Sequence, residues 1–191
     1  MSTTEKEEPP KDTKKETAPE KVEDTAPAFE KSYVDQIANQ FSDDVEVEYI
    51  QENRTRLNVK KEKIIDVAKF IKDNTPFDHA ESVSGVDYPQ DKEIGVTYHL
   101  GSYTDPEYSK QVLALATRAP REETPNPGND STKLPSLRDM FYSVEFHERE
   151  VFEMLGVYFE GHPDNRRLLL PEDWADSVSY THLTLPTTPY V

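Results

Sequence analysis

The chain has 191 residues, of which 38 are acidic and 22 are Lys or Arg, so its formal net charge is −16, and it contains no cysteine. Without cysteine the chain cannot supply a disulfide, a thiolate-bound zinc or iron–sulfur cluster, or a thiol nucleophile. The negative charge argues against a general nucleic-acid surface, which needs clustered Lys and Arg. No run approaches the ~20 apolar residues of a membrane-spanning helix, and the charged N-terminus does not have the pattern of a secretory signal.

The two ends of the chain differ in composition from its middle. Residues 1–31 are rich in Pro, Glu, Lys and Thr, so they bury too little surface to offset their ordering entropy, and we predict a disordered tail. A docking tail that orders on assembly is the alternative. Residues 177–191 contain no Asp, Glu, Lys or Arg. This run either faces a partner or is not native sequence, and we favour the second interpretation.

Residues 32–135 have the apolar pattern of a small domain with helices and strands. Helices are expected at 33–41 and 64–71, and strands at 45–49, 55–59, 79–86, 93–103 and 111–118. Asn53 lies between the first two strands and indicates the turn of a hairpin. Because the elements do not repeat as βαβ units, we expect an α+β fold with a small mixed or antiparallel sheet and helices on one face.

The rest of the chain divides into a loop, a helix and an arm. Residues 119–135 hold four prolines, which predicts a loop that is either functional or mobile. Apolar residues at helical spacing predict a helix within residues 136–156. Gly156 lies where a glycine commonly follows the end of a helix. The arm, residues 157–174, is expected to be ordered without regular structure. We therefore expect residues 136–176 to form a helix and an extended docking arm.

The predicted helix carries a dense cluster of charges. Glu148, Arg149, Glu150 and Glu153 lie close together, and Arg149 and Glu153 have the spacing of an ion pair on one helix face. An ion-paired helix face is favoured over an acid–base pair made by Glu148 and Glu150. His147 and Glu150 could share one metal ion, but two ligands are fewer than the three that a catalytic zinc usually takes.

The arm has the composition of a binding segment. Arg166 and Arg167 are adjacent, so in an extended backbone their side chains point to opposite sides. Leu168 opens an apolar run that Pro171 closes, and Trp174 is the only tryptophan of the chain. Arg and Trp are enriched at binding hot spots, so this mixture predicts docking onto a partner.

The order of residues in 146–174 carries a family resemblance. The matching positions are Glu148, Arg149, Glu150, Glu153, Met154, Gly156, Phe159, Gly161, His162, Pro163, Asp164, Arg166, Arg167, Leu168, Leu169, Pro171, Glu172, Asp173 and Trp174. They resemble the signature of the C subunit of the proton-pumping NADH–quinone oxidoreductase, respiratory complex I. Phe146 stands at the place of a tryptophan in that signature, and a weaker match covers residues 85–89.

This resemblance implies a structural subunit rather than a catalyst. In that family the subunit binds no redox cofactor and lies in the peripheral, hydrophilic arm of the complex, on the cytoplasmic or matrix side, and for this chain we expect the cytoplasmic face of the cell membrane. It packs on the protein that forms the quinone cavity and near iron–sulfur subunits. We therefore expect no catalytic, metal-binding or cofactor-binding residue in this chain, no nucleic-acid partner, and membrane association only through the complex.

The resemblance also implies which residues contact neighbouring subunits. These are Glu148, Arg149, Glu150, Gly156, Phe159, Gly161, His162, Pro163, Arg166, Arg167, Leu168, Pro171, Asp173 and Trp174. Arg166 and Arg167 would bind partner carboxylates or carbonyls through forked guanidinium contacts. The charges at 148–150 would orient the helix and the arm through ion pairs. Apolar anchors would be Phe159, Leu168 and Trp174, and Gly156 and Gly161 would allow turns.

Other functions stay open at this stage. The chain could be the equivalent subunit of a related complex that takes electrons from reduced deazaflavin, ferredoxin or hydrogen. It could be a stand-alone adaptor or assembly protein that uses the same arm. A metal-dependent hydrolase built on His147 and the nearby glutamates is the remaining alternative.

Overall fold

The computed structural model describes residues 27–121 and 132–171. In chain order these form α1 (Ala28–Gln40), β1 (Val45–Gln51), β2 (Arg54–Val59), α2 (Ile64–Asn74), β3 (His79–Tyr88), β4 (Glu93–Gly101), a short 3-10 helix (Tyr108–Lys110), β5 (Val112–Pro120), β6 (Lys133–Pro135), α3 (Val144–Leu155) and β7 (Tyr158–Glu160). The predicted tail before residue 27, the middle of the predicted loop and the chain from residue 172 onward lie outside the described residues.

Five strands form one mixed sheet in the order β1-β2-β5-β4-β3. Neighbouring strands are antiparallel, except that β2 and β5 run parallel. The predicted hairpin is present, and Asn53 adopts the positive φ of 60° that its turn requires. The α+β class with a small mixed sheet is therefore confirmed.

One face of the sheet forms the core. Leu57, Val96, Tyr98, Leu113 and Leu115 are at most 1% exposed. All three α-helices of the described residues contribute buried apolar side chains to this same core, so these helices do lie on one face. Helix α3 and strand β7 also contribute side chains to this core, which therefore holds both elements against the sheet.

Helix α1 begins at Ala28, before the boundary at residue 32 that composition predicted. The carboxylate of Glu30 is 3% exposed and accepts the backbone N–H of Asn53 over 2.8 Å. The ring of Phe29 meets that of Tyr108 edge-on at 5.1 Å. These contacts join residues far apart in the sequence, so composition alone did not reveal that the first turn is ordered.

Helix α3 packs directly on β3. A Cβ at Gly85 would lie within 3.1 Å of Cγ1 of Val151 and closer still to Cδ1 of Leu155, so the glycine permits the close approach of helix and strand. The helix ends as predicted, with Gly156 in the left-handed conformation at a φ of 74°.

A small second sheet corrects two sequence predictions. Strand β6 pairs in parallel with β7, which places Leu134 and Phe159 in the core. The end of the predicted loop and the start of the arm are thus regular structure. Strand β5 likewise continues to Pro120, past the start of that loop. Within the described ranges, no helix has the length and apolarity needed to cross a membrane.

Candidate docking surface formed by helix α3 and the arm

The carboxylate of Glu153 holds the described part of the arm to α3. It accepts the backbone N–H of Leu168 over 2.9 Å and that of Leu169 over 2.8 Å, and a third N–H comes from Leu170. The residue is 1% exposed. Burial alone would raise the pKa of Glu153, but the three amide donors outweigh it, so the pKa is lowered.

Arg149 binds the arm one helical turn earlier. Its Nε donates to the carbonyl of Arg166 over 2.9 Å, and its Nη2 donates to the carbonyl of Arg167 over 2.8 Å. Its Nη1 lies 3.5 Å from Oδ2 of Asp164. Arg149 and Glu153 therefore each hold the arm instead of pairing with one another, which corrects the ion pair expected from their spacing.

We call Arg149 and Glu153 the clasp. Hydrogen bonds from the clasp go to backbone atoms of residues 166–170. Because the clasp holds main-chain atoms of residues 166–170, it orders this part of the arm without using the side chains of Leu168 and Leu169, which remain exposed.

Glu148 connects α3 to the sheet and is fully buried. It accepts hydrogen bonds from the Tyr98 hydroxyl at 2.9 Å, the Ser136 hydroxyl at 2.5 Å and the Leu137 N–H at 2.9 Å. Burial raises the pKa of Glu148, although these donors act against the increase. Glu148 thus joins α3 to β4 and to the segment before the helix, and the surface ion pair expected for it is wrong.

His162 forms a second buried anchor near the start of the arm. Its Nδ1 accepts the backbone N–H of Asp164 over 3.0 Å, so the proton of the neutral ring is on Nε2. Nε2 is 3.0 Å from the carbonyl of Glu145, to which it donates. His162 therefore fixes the turn after β7 against α3, with Gly161 beside it at a φ of 84°.

The two adjacent arginines border the same groove. Arg166 and Arg167 both line an open groove of 340 Å³, together with Phe152 and Asn165. Asp164 accepts from Nε and Nη2 of Arg166 over 2.9 and 2.8 Å, and this contact is the main cause of its lowered pKa. Both residues thus border one groove, whereas an extended backbone predicts opposite sides for adjacent side chains.

Large apolar side chains are exposed beside the clasp. Phe146 is 58% exposed, Leu168 37% and Leu169 59%. The guanidinium of Arg149, which also binds the carbonyl of Arg167 next to Leu168, lies 5.7 Å from the centre of the Phe146 ring. Phe146 therefore lies beside the arm. We call Phe146, the groove and Leu168–Leu169 the docking surface.

The other predicted contact residues take varied positions. Phe159 is fully buried in the chain's own core, so its prediction as a partner anchor is wrong. Glu150 is exposed and makes no described hydrogen bond or ion pair, while Pro163 and Pro171 are exposed. Asp173 and Trp174 lie outside the described residues.

Sequence reasoning missed the partners that organise the helix. Tyr98 and Ser136 bind Glu148, and Asp164 binds both Arg149 and Arg166. A buried role for Glu148 had no signal in the local pattern, since every neighbouring charge suggested a solvated face.

Within residues 27–121 and 132–171, no group of three or more His, Asp or Glu residues could hold a metal ion.

Comparison with known proteins places this geometry in a family. Residues 57–182 match the model of the respiratory-chain NADH dehydrogenase 30 kDa subunit. The chain belongs to this family. It is 38% identical over 120 residues to the C subunit of the F(420)H(2) dehydrogenase of Methanosarcina mazei, covering 63% of this chain and 68% of that protein.

Other relatives carry the quinone oxidoreductase name. The chain is 35% identical over 111 residues to the C subunit of the NADH-quinone oxidoreductase of Chlorobium phaeobacteroides, and 37% over 119 residues to that of a Roseiflexus species. These matches cover 57% and 61% of this chain, and span 60% and 62% of those proteins. The predicted resemblance to this complex I protein is confirmed.

Solved structures agree at the level of the fold. A chain of the membrane-bound sulfane sulfur reductase, an archaeal respiratory membrane complex, gives a TM-score of 0.63 at 26% identity over 80% of this chain and 82% of its own. A trypsin-resistant fragment of Nqo5 gives 0.55 at 23% identity over 70% and 97%, and this likeness concerns the fold alone. The chain is therefore a respiratory-complex subunit by family.

Proposed function

We propose that the chain is a non-catalytic structural subunit in the peripheral arm of a proton-translocating NADH–quinone oxidoreductase. Its role is to hold the quinone-cavity subunit and the iron–sulfur subunits at fixed separations, which electron transfer from NADH to quinone requires. In this proposal flavin, iron–sulfur clusters and quinone are bound by the partners. The chain lies at the cytoplasmic face of the membrane, attached only through the complex.

The clasped arm is the observation that supports this proposal. A segment held by its backbone loses little conformational entropy on binding, because it is already in place before the partner arrives. Its exposed Leu168 and Leu169, with Phe146 nearby, supply apolar contact area. Arginines at the edge of such a patch are typical of binding hot spots.

A related complex with another electron donor is the second candidate. The similarity to a protein named for F(420)H(2) dehydrogenase, at 38% identity, favours reduced deazaflavin as that donor. The sequence and fold of this chain agree equally with both donors, since in this proposal donor oxidation lies on other subunits in either case. A stand-alone adaptor or assembly protein is the alternative outside such complexes.

Affinity purification of the native-length protein from mild-detergent membranes tests the proposal. We expect quinone-cavity and iron–sulfur subunits to be recovered together with quinone reductase activity. The electron donor that reduces quinone through the purified complex, NADH or reduced deazaflavin, then distinguishes the two candidates. Recovery of a free soluble protein without those partners would contradict both.

A matched pair of variants connects the result to the docking surface. The double variant Leu168→Asp/Leu169→Asp should lose the partner subunits and the activity. Ile65→Asp also replaces a large apolar side chain, 38% exposed, but one that belongs to α2 and not to α3 or the arm, and should keep them. Equal recovery with both variants would show that the arm is not the docking element.

A further inference from the structure

Tyr103 is the most exposed large apolar side chain of the described residues, at 83%. It lies in the loop between β4 and the short 3-10 helix, outside α3 and the arm. One face of its ring stacks on the imidazole of His79, with ring centres 3.5 Å apart and planes 7° from parallel. His79 belongs to β3 and is 9% exposed, so an exposed ring rests on a buried one.

The carboxylate of Asp78 fixes both rings. It accepts Nδ1–H of His79 over 2.7 Å and the backbone N–H of Tyr103 over 3.1 Å, while the Thr104 hydroxyl donates over 2.8 Å. Burial acts to raise the pKa of Asp78, but these hydrogen bonds lower it to about 2, so the group is ionised at neutral pH. Because the Tyr103 ring is held before a partner arrives, using it as a contact costs little conformational entropy.

The other highly exposed aromatic rings have a cation from this chain. The guanidinium of Arg138 lies 4.1 Å from the ring centre of Tyr142, which is 74% exposed, and that of Arg149 lies 5.7 Å from the ring centre of Phe146. Of the rings more than half exposed in the described ranges, only that of Tyr103 has no Lys or Arg over it. Its second face is open to solvent.

The surroundings of Tyr103 are acidic. Residues 78–81 and 101–107 meet where β3 pairs with the end of β4, and neither stretch contains Lys or Arg. Their carboxylates are those of Asp78, Glu81, Asp105 and Glu107. A cation is attracted both by these charges and by the face of the ring. The same charges repel the anionic surface of a membrane, so they favour a protein contact over a lipid contact.

We propose that the open face of Tyr103 receives the guanidinium or ammonium group of an Arg or Lys side chain of a neighbouring subunit. The inference rests on the proposed function, since that subunit belongs to the same complex. It adds a second contact, because the loop of Tyr103 is not part of the docking surface. The partner's cation stacks on one face of the ring, while His79 supports the other.

Cross-linking of the assembled complex tests which group meets the ring. Benzoylphenylalanine at position 103 of the native-length protein is activated in the detergent-solubilised complex. Digestion with a protease that cleaves after acidic residues keeps Lys and Arg inside the peptides, which mass spectrometry identifies. We expect a partner peptide with Lys or Arg next to the cross-link. A cross-link to lipid or to a segment without these residues overturns the proposal, and so does the absence of any cross-linked partner.

Substitutions distinguish a cation site from simple apolar contact. Tyr103→Leu keeps apolar area but removes the aromatic face, and it should lower recovery of the partner subunits by at least about fivefold. Tyr103→Phe keeps the face and should stay within about twofold of the wild type. The same replacement in Tyr142→Leu affects a ring that Arg138 already covers, and recovery should again stay within about twofold. Equal losses in both leucine variants would overturn the proposal.

The outcomes separate this proposal from the one on which it rests. If Leu168→Asp/Leu169→Asp abolishes assembly while Tyr103→Leu behaves like the wild type, the docking surface stands and the cation site is wrong. If neither variant affects assembly, the proposed docking function fails as well. Urea denaturation checks that Tyr103→Leu is folded, and if it is not, the cross-link from position 103 decides.

Discussion

At the scale of single residues, Glu148 carries a buried carboxylate that three donors satisfy. Replacing Glu148 by Leu would strand the Tyr98 hydroxyl, the Ser136 hydroxyl and the Leu137 N–H in the core. Each stranded donor costs about 1–3 kcal/mol. We expect Glu148→Leu to lower the free energy of unfolding by about 3 kcal/mol or more, measured by urea denaturation near neutral pH.

Glu148→Gln is the matched control for that variant. Its amide oxygen still accepts from Tyr98 and Leu137, and its NH₂ group can donate to the Ser136 oxygen. The glutamine also removes a buried charge, whose cost is what raises the pKa of Glu148. We expect a loss within about 1 kcal/mol. A loss as large as that of the leucine variant would show that the charge itself is required.

At the scale of elements, the clasp predicts that the arm responds to acid. Because the pKa of Glu153 is lower in the folded protein than in the unfolded chain, its ionised carboxylate stabilises the folded arm at any pH above the unfolded-state pKa. This stabilisation is lost as the pH falls through the folded-state pKa. Protection of the Leu168–Leu170 amides from hydrogen exchange should therefore be constant near neutral pH. It should decline below about pH 4.

The controls for this prediction lie on the same helix. Glu153→Gln removes the titrating group, so its arm should be less protected at neutral pH and insensitive to acid in this range. Glu150→Gln changes an exposed glutamate without described partners, so it should follow the wild type. Full protection of the arm amides in Glu153→Gln would mean that the clasp does not hold the arm.

Local sequence patterns predicted the helices and strands, but contacts between residues far apart in sequence determine the structure of the candidate docking surface. Gly156 and Asn53 were assigned correctly because a helix end and a hairpin turn depend on neighbouring residues. Helix spacing predicts an ion pair between Arg149 and Glu153, but both side chains bind the arm instead. The carbonyls and amides that they bind lie 15–18 residues away in sequence. The resemblance implies Phe159 as a partner anchor, but β7 pairs with β6 and places this ring in the core, and a three-residue strand within the predicted loop gives no local signal.

The family signature was visible in the sequence, and its physical meaning was not. The signature places Glu148, Arg149 and Glu153 on one helix, and the structure gives them two separate tasks. Glu148 connects the helix to the sheet, while Arg149 and Glu153 connect it to the arm. A linear motif groups such residues because one helix carries them, although they face different parts of the molecule.

At the scale of the whole molecule, the arm and the sheet share one hydrophobic core. Val144, Val151, Phe152 and Phe159 follow residue 135 in sequence and pack in the same core as the five-stranded sheet. Burying each such side chain contributes about 1.5–3 kcal/mol. Their sum is comparable to the roughly 5–15 kcal/mol by which a typical domain is stable.

A fragment of residues 27–135 should therefore fail to fold cooperatively, whereas residues 27–171 should unfold in one transition. Removing α3 exposes the side of β3 that carries Gly85, and leaves the hydroxyl of Tyr98 without the carboxylate that accepts it. Thermal unfolding followed by circular dichroism, with amide chemical-shift dispersion by NMR, measures the difference. A cooperative transition for 27–135 at the temperature of the longer fragment would mean that the helix and arm are an addition to an independent domain, not part of its core.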